Sequence, residues 1–228
     1  MPSNDGSLPA HAPSLSDVFD RESLPAARLR FEGQQSIYAT GDGDDAIYLI
    51  ESGQVKLFMS SAAGKDCLLA IYAPREVFGE SCLTGSARRL ESASAMQPAV
   101  VRRASRRELL AELQRSGATD LLVQHLASRL AERQIAVFDL ITMDAERRLA
   151  KVLVGMAEKL GTPEGPWLRV AQRIPHEELS QIVGTTRPRV TAFMQRFRRL
   201  GIVEDSDHRA IRIHREKART FLAADVQF

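Results

Sequence analysis

The sequence is poor in the residues that build metal centres and disulfide frameworks. Of its 228 residues only two are cysteine, Cys67 and Cys82, and five are histidine. The cysteines have none of the close spacings that hold zinc, clusters or a redox pair, and the histidines are scattered, so no metal site is expected. Both cysteines are expected to be ordinary small residues in a reducing compartment.

Long apolar runs are also missing. The longest, such as "VLVGMA", are far shorter than the roughly 20 residues that a membrane-spanning helix needs. The opening stretch "MPSNDGSLPAHAPS" has no basic run followed by an apolar core, so no signal peptide is expected. These absences predict a cytoplasmic protein with no membrane partner.

The arrangements typical of enzymes and calcium sites are absent as well. No serine or cysteine stands in a nucleophile elbow or a histidine-paired motif, so we expect no catalytic residues and no enzyme activity. The segment "GDGDD" suggests calcium, but an EF-hand frame started at Asp42 would put Ile47 at position six and Gly53 at position twelve, where both ligand rules fail. Asp42, Asp44 and Asp45 are interpreted as turn residues.

Charge is distributed unevenly along the chain. The net charge is only +2, from 31 Lys+Arg and 29 Asp+Glu. Residues 1–144 carry 15 basic and 19 acidic residues, net −4, whereas residues 145–228 carry 16 and 10, net +6. Contacts with nucleic acid are therefore expected in the C-terminal part.

The periodicity changes from strand-like to helical along the chain. Between about residues 28 and 105, short apolar segments alternate with glycine turns, which predicts a β-barrel or β-roll. Helix is predicted from about residue 106 to 160. Within it, apolar spacings of three and four favour a seam between two copies of the chain over a plain buried helix. The seam residues are Val123, Leu126, Leu130, Arg133, Val137 and Leu140.

The segment "EELSQIVGTTRPRVTAFMQRFRRL" has the pattern of two helices joined by a tight turn. The first helix is predicted after Pro175, and Gly184 suits the left-handed conformation that ends it. Thr185 or Thr186 can cap the second helix, which buries a row of apolar side chains. That row is Val190, Phe193, Met194 and Phe197. The pattern predicts a helix-turn-helix, and "GIVEDSDHRAIRIH" after it predicts two short strands.

The start of the second helix carries residues suited to DNA. The first turn of a recognition helix reaches base edges in a major groove. Arg187 can give guanine two hydrogen bonds, worth about 1–3 kcal/mol of discrimination, while Thr186 and the helix amides suit a phosphate. The predicted DNA contacts are Thr185, Thr186, Arg187, Arg189 and Thr191. Arg196, Arg198 and Arg199 are interpreted as either phosphate-adjacent or solvated.

Three stretches, "GDGDDAIYLIESGQVKLF", "VFGE" and "EELSQIVGTTRPRV", together resemble the CRP/FNR superfamily, the cyclic-AMP receptor protein and its relatives. They match its β-roll core, nucleotide cassette and winged helix-turn-helix, and the resemblance covers about residues 28–220. It implies a homodimer joined along the long helix, an effector between roll and helix, and double-stranded DNA with a palindromic operator as partner. RNA polymerase is a candidate further partner. Dimer symmetry would place the half-sites about 34 Å apart.

The predicted fold is therefore α+β, with a cyclic-nucleotide-binding-type β-roll, a long dimerisation helix and a winged helix-turn-helix. We divide it into a flexible tail (residues 1–16), an effector-sensing domain (17–117), a dimerisation helix (118–144) and a DNA-binding domain (145–228). By the resemblance, Arg187 takes the place of the family's guanine-contacting Arg. Pro188 and Ala192 replace a Glu and a second Arg, and Arg189 is an extra cation. The operator is expected to differ from the cyclic-AMP receptor's consensus.

The effector pocket departs from the family's pattern. Gly79–Glu80 matches its Gly-Glu pair, but Glu91–Ser92 stands where the resemblance expects Arg-Ser. A carboxylate about 4 Å from a phosphate costs roughly 4 kcal/mol at an effective dielectric near 20, so ordinary cyclic-AMP binding is disfavoured. The predicted effector contacts are Gly79, Glu80, Ser81, Cys82, Arg88, Arg89, Ser92, Arg133 and Gln134.

These residues are assigned different roles. Glu80 would accept from a ribose hydroxyl, the amides of Ser81 and Cys82 would face a phosphate, and Arg133 would bind guanine or a phosphate. Cyclic di-GMP is the leading effector; cyclic AMP in an altered pose, or no small effector, remain open. No cofactor is required.

An alternative for Arg133 also remains open. It would form a salt bridge across the helix pair, with Glu132 or Asp139 as the acceptor.

Overall fold

The computed structural model describes residues 12–62, 64, 66–86, 88–171, 174–207 and 210–224. Most of the predicted flexible tail, residues 1–11, lies outside this range. The last residues of the predicted tail belong to a helical turn, α1 (Leu15–Val18), which begins with a capping box between Ser14 and Asp17. Leu15 and Val18 pack into a core of the roll, so the predicted tail boundary at residue 16 falls inside a buried element.

Two antiparallel four-stranded sheets form the predicted β-roll, in the orders β1-β8-β3-β6 and β2-β7-β4-β5. Their strands are β1 (Ala27–Phe31), β2 (Ser36–Tyr38), β3 (Ala46–Ser52), β4 (Val55–Ser60), β5 (Asp66–Tyr72), β6 (Val77–Phe78), β7 (Ser92–Ala95) and β8 (Ala99–Ser105). The β3–β4 turn requires glycine at position 53, because φ is +85° and a Cβ would lie 2.5 Å from the carbonyl oxygen of Pro98.

The turn between β5 and β6 places a non-glycine residue in the left-handed region. Arg75 has φ of 71°, a conformation that costs an L-residue about 1–2 kcal/mol. Its guanidinium donates to Asp17 and Asp20, each at 2.7 Å. The side chain that strains the turn therefore also ties it to α1.

Helices occupy most of the chain after the roll. They are α2 (Arg106–Arg115), α3 (Thr119–Thr142), α4 (Ala145–Leu160), α5 (His176–Val183), α6 (Arg187–Arg199) and α7 (Arg215–Ala223). The 24 residues of α3 correspond to a length of about 36 Å. No described helix has the length and apolar character that crossing a membrane requires.

A third antiparallel sheet accompanies the C-terminal helices, in the order β11-β12-β10-β9. Its strands are β9 (Thr162–Glu164), β10 (Trp167–Val170), β11 (Val203–Asp207) and β12 (Ala210–His214). The last two are the strands predicted after the second helix, and with α4–α7 they form a winged helix-turn-helix. The predicted α+β class, with a β-roll, a long helix and a C-terminal helix-turn-helix, is confirmed.

The hydrophobic cores show how these parts are connected. One core fills the interior of the roll and another packs the roll against α1, α2 and the start of α3. The third contains the buried residues of α4, α5, α6 and the C-terminal sheet, but it also includes Leu68 and Ile71 of β5. The DNA-binding part therefore packs directly on the roll.

Candidate functional site

The nucleotide cassette starts at a turn that only glycine can make. Gly79 has φ of +90°, and a Cβ there would lie 3.1 Å from both the carbonyl oxygen of Ala46 and the ring of Tyr48. A 3₁₀ helix, Glu80–Thr84, follows directly. The turn presents Glu80 to α3, as the sequence predicts for the wall between roll and long helix.

Glu80 faces two residues of α3 that sequence reasoning missed. Its Oε1 lies 3.4 Å from Nε of Arg129 and 3.8 Å from Nε2 of His125. Burial alone would raise the pKa of Glu80, but the nearby imidazole of His125 and the charge of Arg129 hold it below its ordinary value. His125 and Arg129 lie eight and four residues before Arg133, so their shared helical face was the available signal.

Several polar atoms at this point have unused bonding capacity. Oε2 of Glu80, Nε2 of His125 and Nε of Arg129 are buried without a hydrogen-bond partner in the described part of the chain. Buried polar groups are normally satisfied by protein or water. The cluster therefore has the chemistry to receive a polar group of a ligand.

Arg89 points into the roll, but its donors are directed at the protein itself. The guanidinium donates to the carbonyl oxygen of Gly79 at 2.6 Å, to Asp44 at 2.6 and 3.2 Å, and to the carbonyl oxygen of Ala46. It also lies 4.1 Å from the ring centroid of Tyr38, and its side chain has 0% exposure. Arg89 thus fills the region where an anionic ligand would need a free cation.

Asp44 has a second role besides that of the predicted turn residue. Its carboxylate accepts from Arg89, from Tyr48 at 2.7 Å and from Arg103 at 2.7 Å. Burial favours the protonated form, yet these hydrogen bonds keep the pKa of Asp44 below its usual range. Asp44 lies in the loop between β2 and β3, as expected of a turn residue, but it also serves as a counter-ion for two arginines. Asp42 stabilises its turn by accepting from the amide of Ala39.

The predicted Arg-Ser positions are also engaged internally. Glu91 is buried and accepts from the hydroxyls of Tyr38 at 3.1 Å and Ser81 at 2.7 Å. Ser92 Oγ accepts from the amide of Thr40 at 2.9 Å. A second carboxylate therefore lies in the cassette beside Asp44.

The other cassette residues differ in how accessible they are. Burial raises the pKa of the Cys82 thiol to about 11, so the thiol stays protonated and unreactive. Arg88 is exposed at the rim, where it donates to the carbonyl oxygen of Gly41 at 2.8 Å.

Aromatic rings fill the rest of the roll interior. Phe78 stacks on Tyr48, Tyr72 and Tyr38 with centroid distances of 5.1, 6.0 and 6.3 Å. All four side chains are at most 3% exposed. This part of the roll interior is therefore occupied by the chain's own side chains.

Arg133 lies on a different face of α3 from the one predicted. Its guanidinium donates to the carbonyl oxygen of Leu69 at 2.6 Å and to the hydroxyl of Tyr72 at 3.4 Å. It therefore faces the roll, and the next residue, Gln134, is exposed with the apolar seam. Spacings of three and four fit both neighbouring faces, so the sequence pattern could not choose between them.

The alternative acceptors for Arg133 are paired within the chain. Glu132 accepts from Arg129 at 2.9 Å and Asp139 from Lys151 at 2.7 Å.

The helix-turn-helix agrees closely with its sequence pattern. Gly184 ends α5 in the left-handed conformation with φ of 70°, and Thr186 occupies the extended N-cap position of α6. Val190, Met194 and Phe197 are buried, while the fourth predicted apolar residue, Phe193, is only partly buried. The apolar row holds α6 so that its first turn projects outward.

The predicted DNA contacts are not equally available. Thr186, Arg187 and Arg189 are exposed, and neither arginine forms an ion pair within the part of the chain that the structure describes. Thr191 is half-buried, with its hydroxyl 2.9 Å from Nδ1 of His176. Oγ1 of Thr185 is buried without a hydrogen-bond partner among the described residues.

Further along α6, two of the ambiguous arginines bind carboxylates. Arg196 pairs with Glu146 at 2.7 Å and Arg198 with Asp205 at 2.9 Å. Free cationic character is therefore concentrated in the first turn of the helix.

The fold and these two sites define a DNA-binding protein with a nucleotide-type sensor domain. Residues 28–116 match the cyclic nucleotide-binding domain and residues 147–218 the Crp-like helix-turn-helix domain. The chain is 32% identical over 174 residues to the CRP-like cAMP-activated global transcriptional regulator of Mycobacterium tuberculosis, covering 75% of this chain and 77% of the relative. It is 30% identical over 177 residues to the cyclic AMP receptor protein of Thermus thermophilus, with coverage of 77% and 78%.

The chain belongs to the CRP/FNR superfamily of transcription regulators. Its fold is also that of the c-di-GMP responsive global regulator CLP of Xanthomonas campestris, with a TM-score of 0.67 and 19% identity over 86% of this chain and 98% of that structure. The Mycobacterium tuberculosis and Xanthomonas campestris proteins are both named as regulators.

Replacing Arg89 with Met should strongly destabilise the roll. The change leaves Asp44 and two buried carbonyl oxygens without their donor, and removing one partner of a buried ion pair costs about 3–5 kcal/mol. We expect the free energy of unfolding in urea, at fixed protein concentration, to fall by about 3 kcal/mol.

The neighbouring exposed arginine provides the matched control. Arg88→Met removes the same charge and is expected to change the free energy of unfolding by less than about 0.5 kcal/mol. Equal losses in the two variants would contradict the internal role of Arg89.

Proposed function

We propose that this protein is a homodimeric, sequence-specific DNA-binding transcription regulator of the bacterial cytoplasm. The observation that carries the proposal is the exposed first turn of α6, where Arg187 and Arg189 lack ion-pair partners among the described residues. Unpaired guanidinium groups at the start of a recognition helix suit base edges and phosphates. Arg187 reads a guanine, and Thr186 with the N-terminal amides of α6 holds a phosphate.

The remaining DNA-contact residues have supporting roles. Arg189 lies 5.7 Å from the ring centroid of Phe193, which restricts where its charge can reach. Thr191 is bound to His176 and contributes by shape, because its hydroxyl is already engaged. Thr185 joins α5 to α6 through its amide, which donates to the carbonyl oxygen of Ser180 at 3.0 Å.

An apolar stripe along α3 supports dimerisation. Large side chains that a single chain would bury are exposed to 60% at Val123, 61% at Leu130, 64% at Phe138 and 78% at Ile141. Helical periodicity places them on one face with Gln134. Pairing of two α3 helices along this stripe would bury the apolar surface and bring two copies of α6 to a palindromic operator.

We propose that the effector is a cyclic dinucleotide, cyclic di-GMP in the first place. The buried Glu91 and the internally paired Arg89 oppose a single cyclic phosphate in the interior of the roll. Cations remain at its boundary, with Arg88 at the rim and Arg133 on α3. A larger ligand with two phosphates and guanine edges suits this outer arrangement, and the Xanthomonas neighbour described above is c-di-GMP responsive.

Two other forms of control have their own support. The packed aromatic interior favours a regulator that needs no small effector. The cAMP-activated Mycobacterium tuberculosis relative favours cyclic AMP in an altered pose. RNA polymerase is a proposed further partner.

Arg187→Ala should weaken operator binding and relax its specificity. Loss of a bidentate guanine contact is expected to reduce discrimination against a mismatch at that base pair by about 1–3 kcal/mol. Mobility shifts at fixed salt, on a selected operator and its mismatched versions, measure this difference. Arg199→Ala, at the exposed far end of α6, should change affinity for all sequences equally; the same specificity loss in Arg199→Ala would contradict the assignment.

Leu130→Asp should convert the dimer to a monomer. A carboxylate in the middle of the apolar stripe would have to be buried unpaired in the helix pair. Sedimentation velocity should give half the wild-type mass, with loss of operator binding. Ser128→Asp introduces the same charge on another exposed face of α3 and should remain dimeric; a dimeric Leu130→Asp protein would rule out this interface.

Cyclic di-GMP should bind the purified protein in a calorimetric titration, and cyclic AMP should bind more weakly. Arg133→Ala is expected to weaken cyclic di-GMP binding by about tenfold, equivalent to 1.4 kcal/mol. Arg107→Ala, which removes an exposed arginine of α2, serves as the charge control. No heat with either nucleotide, together with undiminished operator binding, would favour the effector-independent regulator instead.

A further inference from the structure

The DNA-binding part is attached to the roll by more than the α3–α4 junction. Leu68 and Ile71 of β5 belong to the same core as the helix-turn-helix, and Phe58 of β4 packs against that core. The contact lies on the edge strand β5 and the neighbouring strand β4 of one sheet of the roll, far along the chain from α5. It fixes the orientation of α6 relative to the β4–β5 hairpin.

Two ion pairs join the roll to the DNA-binding part, and the lysine comes from the roll in one pair and from the DNA-binding part in the other. Lys56 of β4 binds Glu178 of α5 with Nζ and Oε1 2.6 Å apart. In the other direction, Lys159 of α4 binds Glu76 of the roll at 2.5 Å and donates to the carbonyl oxygen of Ile71 at 2.7 Å. Each part therefore supplies one lysine and one glutamate.

Because Glu178 is nearly buried, its charge depends on the neighbouring Lys56 more than the charge of a surface carboxylate would. The Glu178 side chain is 12% exposed and that of Lys56 is 19% exposed. The second carboxylate oxygen, Oε2, is buried and has no hydrogen-bond partner within the described residues. If Lys56 were lost, the contact would hold a nearly buried charge without a counter-ion, which favours separation of the two parts.

The docked arrangement places the DNA-reading turn beside the roll. Thr185, Thr186 and Arg187 form one wall of a cleft of about 850 Å³, and the tip of the β4–β5 hairpin, with Asp66 and Cys67, forms the other. This volume is in the range of small-molecule pockets. A duplex must surround the recognition helix with both walls of a major groove about 12 Å wide, so the hairpin occupies space that DNA needs.

We propose that the two lysine–glutamate pairs together form an autoinhibitory latch, which holds the DNA-reading turn of α6 against the β4–β5 hairpin and is weakened by the loss of either pair. The inference rests on the proposed function of α6 in DNA binding and adds how that function is restrained. It also links the latch to the sensor: Glu76 lies 3.7 Å from Arg129, which contacts Glu80. A ligand that recruits Arg129 changes the charge around Glu76 and thereby the hold on Lys159.

The test is Lys56→Met in the full chain. In the wild type only a small fraction of the protein has an open latch, and the apparent DNA affinity is reduced in proportion to that fraction. Opening the latch should therefore tighten binding to a selected operator by about tenfold. Loss of a lysine would by itself weaken DNA binding, which makes tightening diagnostic. Exchanging the charges in Lys56→Glu/Glu178→Lys should restore the wild-type affinity, and Arg28→Met, which breaks an ion pair within the roll, should leave it unchanged.

Energy transfer reports the opening independently of DNA. Trp167 is the only tryptophan of the chain and lies in β10 of the C-terminal sheet, while the exposed Cys67 on the hairpin can carry a dansyl group and Cys82 is buried. Transfer should fall in Lys56→Met and recover in the charge exchange.

The outcomes separate the latch from the function on which it rests. Unchanged transfer and unchanged or weaker operator binding in a folded Lys56→Met protein would overturn the latch and leave the DNA-binding proposal standing. Failure of wild type, Lys56→Met and the charge exchange alike to bind any selected operator would overturn both.

Discussion

The buried guanidinium of Arg89 is the constraint on which the sensor roll depends. A charge with no exposure must be paired and hydrogen-bonded completely, and Arg89 satisfies this requirement with Asp44 and the carbonyl oxygens of Gly79 and Ala46. By binding these acceptors, Arg89 holds the left-handed turn at Gly79 and the loop that carries Asp44 in place. The cassette is consequently a packed, internally neutralised structure rather than an open anion site.

The same rule governs the boundary of the roll. Glu80 meets Arg129 where the roll contacts α3, and Glu178 meets Lys56 where it contacts α5. Each carboxylate is largely buried and relies on a cation from another element. Buried ion pairs therefore connect the roll to the long helix and to the DNA-binding part, and breaking either pair would be costly. Arg187, in the first turn of α6, has no ion-pair partner among the described residues.

Local patterns were readable from the sequence, and long-range pairings were not. The α5–Gly184–α6 turn was predictable because one glycine and one apolar row decide it. By contrast, Asp44 and Arg89 are 45 residues apart, and no local pattern distinguishes a turn aspartate from a counter-ion. Arg133 was placed in the seam because alternating spacings do not fix which of two neighbouring faces points at the roll. The short helix α1 gave no periodic signal in the sequence, because it is only four residues long and gains its stability from packing.

If two copies of α6 read DNA together, as we propose, hydroxyl-radical footprinting of the full-length protein on a selected operator should reveal both of them. We predict two protected half-sites of the same sequence in inverted orientation, about 34 Å apart and on one side of the duplex. A single protected site, or protection without repeated sequence, would contradict a symmetric dimer that reads DNA through α6.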